Sequence, residues 1–196
     1  MSGKSDSYAK LYVSKAVIRD LNWFISHVLN SDGIYLFQDI NWKIEDADII
    51  AYSDACLSGL GFFLQNTRKG FQCMVPQDPP RDMIFYFEAL SVVSVVEEAT
   101  RLSPVPKHLL VFSDNTNTVN IFHSLCSLPP YNNLLKFTVS LLLKFNISLR
   151  VVYIPGVENI VADALSRFEN TKAVAACPGL SISVFQPPRI TLGQDF

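Results

Sequence analysis

Residues 48–75 contain three short runs of strand-forming residues separated by turns. The runs are 48–54, 60–65 and 71–75, with Gly59 before the second run and the turn-forming stretch 66–70 before the third. Strands this close in sequence pair through hairpins, which makes them antiparallel. The segment therefore predicts a three-stranded antiparallel meander.

From residue 85 onward, predicted helices alternate with predicted strands. The helix 85–102 is apolar almost all round, which is typical of a helix buried against a sheet. The run 109–114 is continuously apolar, as expected of a central strand covered on both faces. The remaining predicted elements are helices at 116–126 and 132–145, a strand at 148–154 and a helix at 159–168. This order predicts an α/β fold, with a mixed sheet flanked by helices.

We expect three regions along the chain. Residues 1–47 would form an N-terminal amphipathic helix and a connector, residues 48–168 the α/β domain, and residues 169–196 a proline-containing C-terminal tail. Hydrophobic residues make up 49% of the sequence, which is enough to bury a core. Disorder over the whole length is therefore excluded.

Composition excludes several classes of protein. The net charge of −2 excludes a strongly basic protein that binds nucleic acid by charge alone. No apolar run approaches the roughly 18–20 residues of a membrane span, and the polar start has no signal-peptide core. The four cysteines form no CxxC pair. We therefore expect an intracellular, cytoplasmic or nuclear protein with reduced thiols and no membrane partner.

Four carboxylates stand at the boundaries of predicted elements. Asp54 and Asp114 end strands, Glu88 lies near the start of a helix, and Asp163 lies in the last helix. Sites form at such edges of α/β sheets, so the four converge if the first and fourth strands are neighbours. Each acid also has a purely structural interpretation, as a turn, helix-cap or solvated residue.

The residues around these acids form ordered motifs. They read YSDAC followed by GLG, then FEAL, FSDN, IPGVEN and ADALSR, at positions 52–61, 87–90, 112–115, 154–159 and 162–167. In this order they resemble the ribonuclease H domain of retroelement reverse transcriptases, of the DIRS or gypsy-like type, over about residues 15–168. The last two belong to one family motif, P-G-x-x-N-x-x-A-D-x-L-S-R, which is the most specific, and LNWF at 21–24 is similar to the stretch before that domain in DIRS-type elements.

The resemblance implies a ribonuclease H-like fold with a five-stranded mixed sheet, three strands antiparallel and two parallel. It also implies a site for two divalent cations. Asp54 would bridge both ions, Glu88 and Asp114 would complete one site, and Asp163 would complete the other. Oxygen ligands favour Mg²⁺ or Mn²⁺, and such a pair of ions supports phosphodiester hydrolysis.

The implied activity is cleavage of the RNA strand of RNA–DNA hybrids by an endonuclease. We predict that Asn115, Asn159 and Arg167, which stand in the same motifs, bind the substrate. Candidate protein partners are a reverse-transcriptase polymerase domain and a second copy of the chain. The chain itself has no polymerase motif, which is expected of an excised domain or of a stand-alone, domesticated copy.

The sequence also departs from the family pattern. Tyr153 stands where this class of element often has histidine, and the basic helix of the cellular enzymes is absent. The helix 132–145 is apolar instead, which is consistent with core packing or with a docking face.

These departures leave other hypotheses open. One is a domesticated module that binds nucleic acid or protein without cutting. Another is a different nuclease on the same fold, which is disfavoured because position 56 is Cys and the last acid is Asp163.

Overall fold

The structure, a computed structural model, describes residues 13–30, 42–76, 83–126 and 129–188. The chain divides into two compact units, 1–36 and 37–196. Most of the predicted connector, the proline-rich stretch 77–82 and the last eight residues of the predicted tail lie outside the described residues.

The first unit contains one described helix, α1 (Lys15–Asn30). Its apolar side chains recur at helical spacing, as the sequence predicts. They form one stripe in which each side chain is about half exposed: Val17, Ile18, Leu21, Phe24, Ile25 and Val28.

The second unit alternates strands and helices in the predicted order. Its strands are β1 (Ile49–Ala55), β2 (Gly59–Leu64), β3 (Lys69–Met74), β4 (His108–Ser113), β5 (Ser148–Tyr153) and β6 (Ser181–Val184). Its helices are α2 (Met83–Ala99), α3 (Thr116–Ser124), α4 (Pro129–Phe145), α5 (Ile160–Ser166) and α6 (Asn170–Ala176). Within the described ranges, no helix has both the length and the hydropathy that a bilayer span requires.

The strands form one mixed sheet in the order β5-β4-β1-β2-β3-β6. Pairing is antiparallel from β1 to β2 and from β2 to β3, and parallel from β1 to β4 and from β4 to β5. The predicted fold class, three antiparallel strands with two parallel ones, is confirmed. The predicted central strand is confirmed too, because β4 lies between β1 and β5.

Helices cover both faces of the sheet. Phe62 belongs to the larger core cluster, which includes the buried side chains of α2 and α4. Its neighbour Phe63 points to the opposite face and packs with Val161, Leu165 and Ala173 of α5 and α6. Every residue of β2 is buried as a result, and this explains why its sequence is apolar throughout rather than alternating.

The apolar helix α4 is packed into the core. Leu134 and Leu135 are buried, and Phe137, Leu141 and Phe145 are partly buried against the same cluster. Between the two interpretations left open by the sequence, the packing favours a core helix.

Residues 169–188 depart from the expected tail. Helix α6 packs its buried Ala173 into the second cluster, and β6 pairs in parallel with β3 through Gly70 and Ile182. This corrects the expectation for the described part of the stretch and adds a sixth strand to the predicted five. The physical reason is that β3 would otherwise leave an unpaired edge, and four mostly exposed residues suffice to pair with it.

Trp42 ties the end of the predicted connector to the same unit. Its indole N–H donates to Ser148 Oγ at 2.8 Å, and its ring stacks on His108 with centroids 4.9 Å apart. The guanidinium carbon of Arg150 also lies over this ring, 4.6 Å from its centroid. The side chain is 6% exposed, so the folded unit begins before residue 48.

Candidate active site

Asp54 and Asp114 lie at the same edge of the sheet. Asp54 is near the end of β1, and Asp114 follows β4 directly. The two strands are parallel neighbours, with Tyr52 opposite Phe112. Parallel strands present their carboxyl ends at one edge. The expected adjacency of the first and fourth strands is therefore what brings these two carboxylates together.

Glu88 completes a compact acidic cluster. It lies in α2 between the buried residues Phe87 and Ala89, and it is 6% exposed. One oxygen from each of Asp54, Glu88 and Asp114 lies within 4.8 Å of the others. Glu88 Oε2 is buried and has no hydrogen-bond partner among the described residues. A buried carboxylate oxygen without a partner is costly, so this position suits a cation.

The glycine pair of β2 sets the position of the fourth acid, because it lets α5 lie directly on the strand. A Cβ atom built on Gly61 would be 2.3 Å from the backbone nitrogen of Ser166 and 2.7 Å from the carbonyl oxygen of Ala162. A Cβ atom on Gly59 would be 2.3 Å from the carbonyl oxygen of Ser166. Only glycine permits this approach, which brings Asp163 of α5 to the site.

Asp163 reaches the site but lies outside the three-acid cluster. Its Oδ1 accepts a hydrogen bond of 2.6 Å from Arg167 Nε, and its Oδ2 accepts one of 3.2 Å from Lys172 Nζ. Partial burial on its own would raise the pKa of Asp163, but these hydrogen bonds and positive charges hold it below its usual value.

Glu88 and Asp54 have raised pKa values. Burial raises the pKa of Glu88 to about 9, and the nearby carboxylates of Asp54 and Asp114 add to the effect. Burial also raises the pKa of Asp54 to about 6, although the hydrogen bond from Ser166 opposes this. The direction is expected for acids that share a site without cations, because burial and like charges both disfavour ionisation.

The four acids line an open cleft of about 760 Å³. The β1–β2 turn forms one wall of the cleft, and α5 with the residues that follow it forms another. The lining residues are Asp54, Ala55, Cys56, Leu57, Ser58, Ile84, Glu88, Asp114, Asp163, Arg167 and Glu169.

Comparison with solved structures identifies the fold. The chain is similar to LC11-RNase H1, solved in complex with an RNA/DNA hybrid, with a TM-score of 0.50 and 16% identity over 60% of this chain and 92% of that one. The chain has the ribonuclease H fold. It is also similar to RNase H1 from the halophilic archaeon Halobacterium salinarum NRC-1, with a TM-score of 0.47 and 15% identity over 66% and 98% of the two chains. No protein-family model and no curated protein matches the sequence.

The site of this ribonuclease H fold has donors that suit divalent cations. The three clustered groups are all carboxylates, which favour Mg²⁺ or Mn²⁺ over softer ions. Glu88 Oε2, which has no hydrogen-bond partner among the described residues, is available as a ligand. The residues present therefore fit at least one such cation.

Three supporting residues were not predicted as part of the site. Ser166 donates a hydrogen bond to Asp54 Oδ2. Gly156 lies so close to Asp114 that a Cβ atom there would be 2.8 Å from Oδ2. Both stand in the motifs that resemble the ribonuclease H domain, so the sequence did contain a signal for them. Lys172 lies beyond the last motif, and nothing in the sequence marks it.

The three predicted substrate-binding residues have internal partners. Asn115 caps α3, since its Oδ1 accepts from the backbone N–H of Thr118 at 3.0 Å. Asn159 is 1% exposed and donates to the carbonyl oxygen of Ser53 at 2.9 Å. Arg167 is half exposed and paired with Asp163. Contact of these residues with a substrate stays a prediction.

Proposed function

We propose that this chain is a metal-dependent endonuclease that hydrolyses the RNA strand of RNA–DNA hybrids. The observation that carries the proposal is the cluster of Asp54, Glu88 and Asp114, in which a buried oxygen of Glu88 has no hydrogen-bond partner within the described part of the chain. A non-enzyme has no physical reason to keep such a cluster, because uncompensated buried carboxylates destabilise the fold.

The fold and the motif order support the choice of substrate. LC11-RNase H1, which shares the fold, was solved with an RNA/DNA hybrid. The sequence motifs independently resemble ribonuclease H domains of retroelement reverse transcriptases. We propose on that ground that the chain derives from such a domain and acts beside a polymerase domain or a second copy.

The chain's own residues would hold and orient the reacting groups. Asp54, fixed by Ser166, would be shared between two Mg²⁺ or Mn²⁺ ions, with Glu88 and Asp114 on one and Asp163 on the other. When bound, these ions supply Lewis acidity to the scissile phosphate and lower the pKa of water. Glu88 and nearby backbone would also contact the 2′-hydroxyl, the group that distinguishes RNA from DNA.

The weak overall charge has a consequence for binding. The chain has 18 acidic and 16 basic residues, a net charge of −2. Two bound divalent cations would bring the net charge to about +2. Binding by the isolated chain would therefore be weak and sensitive to salt, and a partner would supply the missing affinity.

A cleavage assay tests the proposal. The full chain is incubated with labelled RNA–DNA hybrid, double-stranded RNA and single strands, with Mg²⁺, Mn²⁺ or EDTA. We expect cleavage of the RNA in the hybrid that requires the cation. Asp54→Asn should lose at least about a hundredfold in rate, which is the scale of a lost electrostatic contribution in other enzymes.

Glu45→Gln is the matched control, because Glu45 is an exposed acid outside the cleft. This variant should cleave at the wild-type rate. Cation-independent cleavage, or equal rates for Asp54→Asn and Glu45→Gln, would overturn the proposal. Binding of the hybrid without any cleavage would favour the non-catalytic module instead.

A further inference from the structure

Asp163 differs from the other three acids in its partners. Both of its carboxylate oxygens are occupied by cationic side chains, Oδ1 by Arg167 and Oδ2 by Lys172. Within the described ranges, Asp54, Glu88 and Asp114 form no ion pair with lysine or arginine. The site therefore has three carboxyl groups without an ion-pair partner in the described ranges and one that is already paired with two cations.

The two cationic residues reach Asp163 from neighbouring helical segments. Arg167 follows α5 and lies four residues after Asp163, so the helix itself sets their separation. Lys172 comes from α6 and is also paired with Glu169 at 3.1 Å. The side chain of Asp163 is 27% exposed, whereas those of Arg167 and Lys172 are 53% and 50% exposed. The pairs are thus accessible and can exchange partners without unfolding the core.

We propose that Arg167 and Lys172 form a cationic clamp that makes the divalent cations bind in sequence. The first ion binds Asp54, Glu88 and Asp114, and the second binds only when Asp163 leaves the clamp. The clamp residues are positioning residues, since they act through Asp163. This inference rests on the proposed function, because it concerns the second of the two cations in that site.

The physical argument is competition for one carboxylate. A cation at the second site must displace the hydrogen bonds that Arg167 and Lys172 donate to Asp163. It must also approach two positive charges, which oppose it. Both costs are smaller at the three-acid cluster, which forms no ion pair with lysine or arginine among the described residues and where no described residue hydrogen-bonds to Glu88 Oε2. The affinities of the two sites should therefore differ before any substrate is present.

Calorimetry and electron paramagnetic resonance of bound Mn²⁺ test this on the full chain without requiring activity. We expect the wild type to bind one Mn²⁺ at least about tenfold more tightly than a second. Arg167→Gln should raise the affinity of the second site for Mn²⁺ by roughly three- to tenfold. This is the scale expected from losing one exposed ion pair to Asp163 and removing the repulsion between Arg167 and the cation. Lys172→Gln should act in the same direction and serves as a second variant if the first folds poorly.

A double-mutant cycle separates the clamp from a general charge effect. If the clamp acts through Asp163, Arg167→Gln should not strengthen the second site when Asp163→Asn is also present. Arg101→Gln, which removes an equal charge from an ion pair outside the cleft, is the control and should change neither site.

Two sites of equal affinity in the wild type would overturn the clamp. Loss of the first ion in Asp163→Asn would also overturn it. So would an Arg167→Gln substitution that raises the affinity of the second site equally in the wild type and in Asp163→Asn. The outcome is distinguishable from that of the cleavage assay. Sequential binding without cleavage would keep the clamp and reject the nuclease, and cation-dependent cleavage with two equal sites would do the reverse.

Discussion

The side-chain amide of Asn159 donates a hydrogen bond of 2.9 Å to the backbone carbonyl oxygen of Ser53, the residue before Asp54. Asn159 lies directly before α5, which carries Asp163. One hydrogen bond therefore links the strand that holds the first acid to the start of the helix that holds the last.

Asn159→Ala should lower the free energy of unfolding by about 1–3 kcal/mol, because it leaves a buried carbonyl without its donor. The measurement is urea denaturation of the metal-free chain. Asn66→Ala is the matched control, since Asn66 accepts one hydrogen bond from Ile50 at an exposed position. Its cost should be smaller, and an equal cost for both variants would argue against the link.

Gly61→Ala should destabilise the chain by about 1–3 kcal/mol or more, because the added methyl group would meet the backbone of α5. Gly70→Ala on the adjacent strand is the control. There the new methyl group would meet only the flexible ends of Leu165 and Leu180, at 3.1 and 3.3 Å. Denaturation midpoints for the two variants compare the sites, and an effect of Gly70→Ala as large as that of Gly61→Ala would contradict the close packing of α5.

The stability of the metal-free chain should fall as pH rises from about 4.5 to about 9. The folded state raises the pKa of Glu88 from 4.5 to about 9, so over this window it binds a proton that the unfolded state has released. The stabilisation is complete below 4.5 and is lost as pH rises through 9, with a slope of up to about 1.4 kcal/mol per pH unit.

Glu88→Gln should remove this contribution to the pH dependence of the free energy of unfolding, and Glu45→Gln should retain it. Thermal unfolding between pH 5 and pH 9 measures both. Mn²⁺ should stabilise the wild type more at pH 8 than at pH 5, because protons and cations compete for the same carboxylates. A slope that is unchanged in Glu88→Gln would show that this carboxyl group is not the source.

Phe185→Ala should cost about 1–3 kcal/mol, less than the loss of a fully buried phenylalanine. The ring of Phe185 packs edge-on against Phe62 with centroids 4.9 Å apart. Val184→Ala is the neighbouring control, since Val184 is 80% exposed and its loss should change stability by less than about 0.5 kcal/mol. Equal stabilities would mean that the segment after β6 adds nothing to the fold.

The fold class was predictable because its signals are local. The meander follows from short strands and turn residues, and the burial of β4 follows from the unbroken apolar run of Leu109 to Phe112. Strand β6 was not predicted, because Ser181–Val184 is short and mostly exposed. Its pairing depends on the free edge of β3, which no local pattern records.

For the candidate site, the sequence by itself determined which acids stand at element boundaries and in which order. It also contained Gly59 and Gly61, although only the packing of α5 explains them. The tertiary structure alone decided that Asp54, Glu88 and Asp114 form one cluster while Asp163 pairs with Arg167 and Lys172. The physical reason is distance. Boundaries and caps are set by neighbours along the chain, whereas the partner of a carboxylate is set by whichever charge the folded chain brings within a few ångströms.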